Sequence, residues 1–127
     1  MASQAVYFKV DLNINEGKLD AFQSIAKAMT AVTQKESGAQ AYEWHFSHDR
    51  TQCRLLETYA DESAVLAHMM GPAVQELVPK LLQVSSLRDF EVYGDLGPQA
   101  TNMLAALGAK IFQHWHGLNR GPARNVS

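Results

Sequence analysis

The stretch Gln40-Ala-Tyr-Glu-Trp-His-Phe-Ser-His-Asp-Arg-Thr-Gln-Cys-Arg-Leu-Leu-Glu-Thr-Tyr59 decides the fold. Two runs rich in aromatic and aliphatic residues flank the polar turn His48-Asp-Arg-Thr51, the pattern of a hairpin with a loop of about four residues. Such a loop sets Ser47 opposite Gln52. Phe46 then opposes Cys53, Trp44 opposes Leu55, and Tyr42 opposes Glu57. One face carries Tyr42, Trp44, Phe46, Cys53, Leu55, Glu57 and Tyr59. The other carries Ala41, Glu43, His45, Arg54, Leu56 and Thr58. A slip of one residue would mix these sets, and burial opposes that slip.

Upstream, Val6 to Ile14 alternates strictly, so Val6, Phe8, Val10, Leu12 and Ile14 share one side of a predicted strand. Tyr7, Lys9, Asp11 and Asn13 share the other. Asn15 is the expected cap of a helix whose apolar positions are Leu19, Phe22, Ile25, Ala26, Met29 and Val32. Ser37-Gly38 ends it, with glycine free to take the left-handed stop conformation. Downstream, Asp61 caps a short helix containing Val65, Leu66 and Met69. Gly71-Pro72 interrupts it and restarts a helix, and Pro79 is expected to kink or split that piece. Leu87 to Leu96 reads as a fourth strand. Gly97-Pro98 opens a helix with Ala100, Met103, Leu104 and Leu107 on one face and Gly108 as its stop. Lys110 to Leu118 reads as a fifth strand, and Asn119 to Ser127 as a frayed polar tail.

The order is β-α-β-β-α-β followed by α-β. Its first six elements match the split βαβ, ferredoxin-like α+β arrangement. The expectation is one domain over residues 1–118, with a core at 5–96, an extension at 97–118 and a tail at 119–127. Helices cover one sheet face, and the other is wetted or covered by a second copy.

With 127 residues, 46% hydrophobic and 19% charged, the chain has a globular, single-domain composition. A formal charge of -2 excludes the basic field that draws nucleic acid, and no nucleic-acid module is found. Cys53 is the single cysteine, so no internal disulfide forms, which suits a reducing, cytoplasmic compartment. No apolar run is long enough to span a membrane, and the N-terminal residues lack a secretory pattern.

Glu57 stands out because it falls among aromatic and aliphatic neighbours. Desolvation there disfavours its charged form and raises its pKa toward neutrality, as a general base requires. The alternative is a carboxyl that hydrogen-bonds Tyr42 or a backbone amide and serves only the fold. His114 and His116, two apart on the expected fifth strand, would point the same way, but no third metal ligand is evident and no metal is expected. Cys53 reads as a small buried apolar residue. Gly94-Asp-Leu-Gly97 could hold an anion at a helix start, but it lacks a phosphate-loop pattern.

Three segments, Tyr42-Glu-Trp-His45, Leu56-Glu-Thr-Tyr-Ala-Asp-Glu-Ser-Ala-Val-Leu-Ala-His68 and Gly71-Pro72, carry a family resemblance. They resemble the antibiotic biosynthesis monooxygenase (ABM) domains over roughly residues 5–95. The resemblance implies a dimeric α+β barrel in which two sheets pack face to face. It places Glu57 at the family's recurrent strand glutamate and His68 at its helix histidine. Tyr59 falls where many members have tryptophan, with Trp44 on the neighbouring strand. Ala73 replaces a second histidine, and the residue trio of the haem-degrading branch is not recognisable.

The function implied is a cofactor-independent monooxygenase that oxidises a small aromatic or quinol-type substrate with dioxygen. Glu57 or His68 would supply the base. Tyr42, Tyr59 and the Trp44 indole would donate hydrogen bonds, and Phe8, Leu55 and Val65 would line an apolar slot. The alternative is a non-catalytic dimeric barrel that binds a small hydrophobic ligand or acts as a stress-linked module.

Overall fold

A computed structural model describes residues 5–120. The elements are β1 (Val6–Ile14), α1 (Leu19–Thr33), β2 (Ala39–Phe46), β3 (Gln52–Tyr59) and α2 (Glu62–Met70). A π-helical turn (Ala73–Leu77) then leads into α3 (Val78–Val84), β4 (Ser85–Tyr93), α4 (Pro98–Ala106) and β5 (Lys110–Phe112). The sheet order is β2-β3-β1-β4-β5. All pairs are antiparallel except β4 with β5. This is the ferredoxin-like arrangement with an added α-β unit.

The hairpin register is the expected one. Phe46 faces Cys53, Trp44 faces Leu55 and Tyr42 faces Glu57, until a bulge between Ala39 and Ala41 sets Ala39 against Tyr59. The turn holds because Asp49 Oδ1 accepts from the Thr51 amide, the Thr51 hydroxyl and the Ser47 hydroxyl. Arg50 takes the positive φ of 61° that closes it. Two apolar clusters fill the space between helices and sheet. Val6, Phe8, Tyr59, Phe90 and Val92 meet Val65, Met69 and Leu104, while Leu12 and Cys53 meet Phe22, Ala26, Met29 and Leu81. The opposite face carries the ion pairs Arg54–Asp11, Lys9–Glu91 and Lys110–Asp89.

Several local expectations are corrected. Asn15 does not cap α1: Lys18 precedes the helix, and a turn built on Gly17 at φ 77° comes first, with the Lys18 amide donating to the Asn15 carbonyl. Gly38 is not a left-handed stop. Its role is space, because a Cβ there would lie 2.4 Å from the Ala64 Cβ. The break expected at Pro79 is present: the piece that restarts at Pro72 divides into the π turn and α3, and Pro79 sits in the first turn of α3, where the wider coil accommodates the carbonyl that proline cannot satisfy.

β4 begins at Ser85 and ends at Tyr93, because the chain turns away at Gly94, where φ is 145°. β5 consequently stops at Phe112, opposite Tyr93, having run out of partner. His114 and His116 therefore lie beyond the strand, and the strand alternation expected to align them does not extend to them. The His114 amide instead donates to Asp95, and Asn119 donates to the Tyr7 hydroxyl. The start of α4 is already occupied by a protein carboxylate, since the Gly97 amide donates to Glu62 at 2.7 Å. Among the described residues no helix is long and apolar enough to cross a membrane. Most of the expected tail, residues 121–127, lies outside the described residues.

Candidate active site

Strand alternation turns Glu57 and Tyr59 inward from β3, where the Tyr59 hydroxyl donates to Glu57 Oε1 at 2.5 Å. α2 supplies the histidine. Its first turn is capped by Asp61, which accepts from the Ala64 amide at 2.9 Å. One turn beyond Ala64, His68 projects from the same helix face toward the sheet. His68 Nε2 lies 3.5 Å from Glu57 Oε1. The Tyr59 and Tyr42 rings flank the imidazole at 5.0 and 5.7 Å. Because Gly38 lets the turn after α1 close onto Ala64, Glu36 arrives on the other side of the ring. Its Oε1 and Oε2 lie 3.0 and 3.3 Å from His68 Nδ1.

Burial controls the electrostatics. Glu57 is only 5% exposed and His68 3%. Desolvation pushes the Glu57 carboxyl up to about 8, opposed by the Tyr59 hydrogen bond and reinforced by the Glu36 charge. The same burial lowers the His68 pKa, while the Glu36 carboxylate works against that fall. The phenols of half-buried Tyr42 and buried Tyr59 are both pushed well above the ordinary range, first by desolvation and then by the Glu57 charge. At neutral pH the site thus holds a largely protonated carboxyl, a neutral imidazole and two neutral phenols. Burial also pushes the Cys53 thiol up to about 11, so it is not a nucleophile.

A cavity of about 110 Å³ opens beside these groups. Tyr42, Glu57 and His68 form its polar corner, and Phe8, Leu55, Met29, Val74 and Leu81 form its apolar wall. The exposed side chains of Leu82, Leu87 and Leu107 rim its mouth. A dry cavity of roughly 150 Å³ can take up benzene, so this space is on the scale of one ring. A larger cavity of about 260 Å³ lies at the hairpin end, lined by His45, Arg54 and Arg88 among others. Its guanidiniums are already engaged, Arg54 by Asp11 and Arg88 by the Gln52 side chain. It contains no buried titratable pair like Glu57 and His68.

Of the residues singled out in the sequence, Glu57, His68, Tyr42, Phe8 and Leu55 share the smaller cavity. Tyr59 stands behind Glu57 rather than on the cavity wall. Trp44 is also off the wall, with its indole N–H donated to the Thr30 hydroxyl at 2.9 Å. Val65 is fully buried in the core with Val6 and Phe8. Sequence reasoning missed Glu36, because no spacing rule links positions so far apart in the chain. It also missed Thr33, whose buried hydroxyl has no hydrogen-bond partner of ordinary geometry and lies beside Tyr42. Leu107 was read only as part of a helix face, and it brings the C-terminal extension to the cavity mouth. Among the described residues no group of three or more His, Cys, Asp or Glu is arranged to hold a metal ion.

The same architecture occurs in solved structures. MupZ from Pseudomonas fluorescens is 24% identical, with a TM-score of 0.79 over 93% of this chain and 96% of its own. SnoaB, a cofactor-independent oxygenase from Streptomyces nogalater, is 14% identical, with a TM-score of 0.63 over 70% of this chain and 90% of its own. An antibiotic biosynthesis monooxygenase is 17% identical, with a TM-score of 0.61 over 68% and 92%. At these identities the likeness is one of fold. No curated protein matches. The sequence profile of one family, antibiotic biosynthesis monooxygenase, matches residues 6–80, which run from β1 into α3 and include Tyr42, Glu57 and His68. The chain belongs to the antibiotic biosynthesis monooxygenase family.

Proposed function

We propose that this protein is a cofactor-independent monooxygenase acting on a small aromatic or quinol-type molecule, as a homodimer in the cytoplasm. The observation that carries this reading is the buried carboxyl of Glu57, poised near 8 on the wall of an otherwise apolar cavity. An ionised Glu57 removes a proton from an activated ring position, and the neutral Tyr42 phenol donates to the oxyanion that develops. The substrate anion passes an electron to dioxygen, and the resulting pair of radicals combines. The peroxide then loses water. One oxygen stays on the substrate and the other leaves as water with two substrate hydrogens, both from the ring carbon of an anthrone-type CH2 or one from the ring carbon and one from the hydroxyl of a quinol, so no external reductant enters the balance. The leucines at the mouth suit a substrate with apolar substituents.

One observation favours a second reading, a binding module without chemistry. Glu57 Oε1 and His68 Nδ1 already have partners inside the protein, Tyr59 and Glu36. Oxygen uptake with a panel of quinols and anthrones, without flavin or metal, separates the two. Uptake is expected, and its absence across the panel in a folded sample leaves the binding reading. The homodimer is supported by the family's fold and by Leu56, Tyr93 and Phe112, exposed on the face opposite the helices. Light scattering should give twice the chain mass, and a mass near 14.0 kDa at micromolar concentration counts against it.

A further inference from the structure

We infer that Glu36 is a positioning residue of this site: it holds His68 in the tautomer whose Nε2 lone pair faces Glu57, so that a proton on the carboxyl can be shared with the imidazole. A neutral imidazole has one donor and one acceptor nitrogen. A carboxylate can only accept. With both Glu36 oxygens within 3.3 Å of Nδ1, the ring proton belongs on Nδ1. Nε2 is left bare, 3.5 Å from the same Oε1 that receives the Tyr59 hydroxyl.

One feature of the chain brings Glu36 to the ring: Gly38 permits the close approach of its turn to Ala64. The groups facing the imidazole are Glu36 from the turn after α1, Tyr42 from β2, and Glu57 and Tyr59 from β3. Among the described residues no Lys or Arg side chain is paired with Glu36, so its charge is directed at the ring. Its side chain is 18% exposed, against 3% for His68, which gives the buried pair one charged neighbour in contact with water.

In the proposed reaction this changes the identity of the base. The substrate's bond to hydrogen breaks, the proton passes to Glu57 and is shared with Nε2, and the Glu36 carboxylate offsets the imidazolium. The same proton returns to the reduced oxygen as water leaves. This use of Glu36 rests on the oxygenase reading, whereas the tautomer does not.

The test therefore starts with the ligand-free protein. Nitrogen-15 NMR of His68 should show a protonated Nδ1 and a bare Nε2 in the wild type. Glu36→Gln keeps an oxygen that can accept from Nδ1 and removes the charge. It should keep the tautomer while the Glu57 carboxyl, followed by carbon-13 NMR, titrates lower by about one pH unit, because a nearby negative charge has been lost. Glu36→Ala should mix the tautomers. A protonated Nε2 in the neutral wild-type ring overturns the inference without any variant. An unmoved Glu57 titration in a folded Glu36→Gln protein also overturns it. If the tautomer is as stated and no substrate consumes oxygen, the oxygenase reading fails and the Glu36–His68 assignment stands.

Discussion

The two strands that flank β1 carry the same short motif, Glu57-Thr-Tyr59 on β3 and Glu91-Val-Tyr93 on β4. In both, the tyrosine hydroxyl donates to the glutamate two residues before it. The two pairs lie on opposite faces of one sheet. Glu57 is paired across the strands with Tyr42 and Phe8, whereas Glu91 is paired with Lys9 and Lys110. Lys9 reaches Glu91 at 3.2 Å, and Tyr93 stacks on Phe112 with ring centres 5.2 Å apart. Burial is the largest influence on both Glu57 and Tyr59. For Tyr93 the largest is the hydrogen bond to Glu91, which raises its pKa. The internal hydrogen bond is common to both pairs. It is desolvation that brings a carboxyl into the range where it can exchange protons near neutral pH.

If that contrast is right, Glu57→Gln should lower oxygen uptake by about a hundredfold or more, while Glu91→Gln leaves it unchanged. Equal losses from the two variants would erase the distinction.

The second consequence is a pH-dependent stability. The folded-state pKa of Glu57 lies above its ordinary 4.5, so between about 4.5 and 8 the native protein binds a proton that the unfolded chain releases. Stability from this group is full below that window and falls as pH rises through it, by up to about 1.4 kcal/mol per pH unit. Denaturant titrations across the window should show the decline, and Glu57→Gln should flatten it. His68 acts in the opposite direction. Its lowered pKa means that acidification below its ordinary 6.5 also destabilises the fold.

Third, Tyr59→Phe removes the bond that favours the Glu57 carboxylate, so the apparent pKa of Glu57 should rise by about one unit. The equivalent change at Tyr93 should leave Glu57 where it is, as read by carbon-13 NMR. The smallest effect is expected from Glu91→Gln on stability, within about 0.5 kcal/mol by thermal unfolding, because ion pairs that still reach solvent contribute little.

Much of this was legible because strands alternate with a period of two. The hairpin turn and the apolar set of β2 and β3 agree on one register, and that register places Glu57 beneath the helices. The family resemblance rested on the same residues and adds His68. Less was legible where an element's extent depends on its neighbour. β5 was read as reaching Leu118 from its own composition, but its length is set by where β4 ends. Asn15 looked like a cap, and the actual helix start depends on the turn at Gly17. Trp44 was correctly placed on the inner face, yet its N–H is taken by Thr30, a partner on α1 that a strand pattern does not include.

The linear chain by itself determined the order of elements, the hairpin register and the side of the sheet on which Lys9, Asp11, Glu43, Arg54 and Glu57 lie, because these follow from local periodicity and from the cost of burying polar groups. Only the tertiary structure decided that Glu36, distant in sequence, meets His68, that Leu107 reaches the cavity mouth, and that Tyr59 backs Glu57 instead of lining the wall. Those outcomes depend on how closely a turn can approach a helix. At Gly38 that approach is set by a missing Cβ against Ala64, a distance between segments that no pattern within either one encodes.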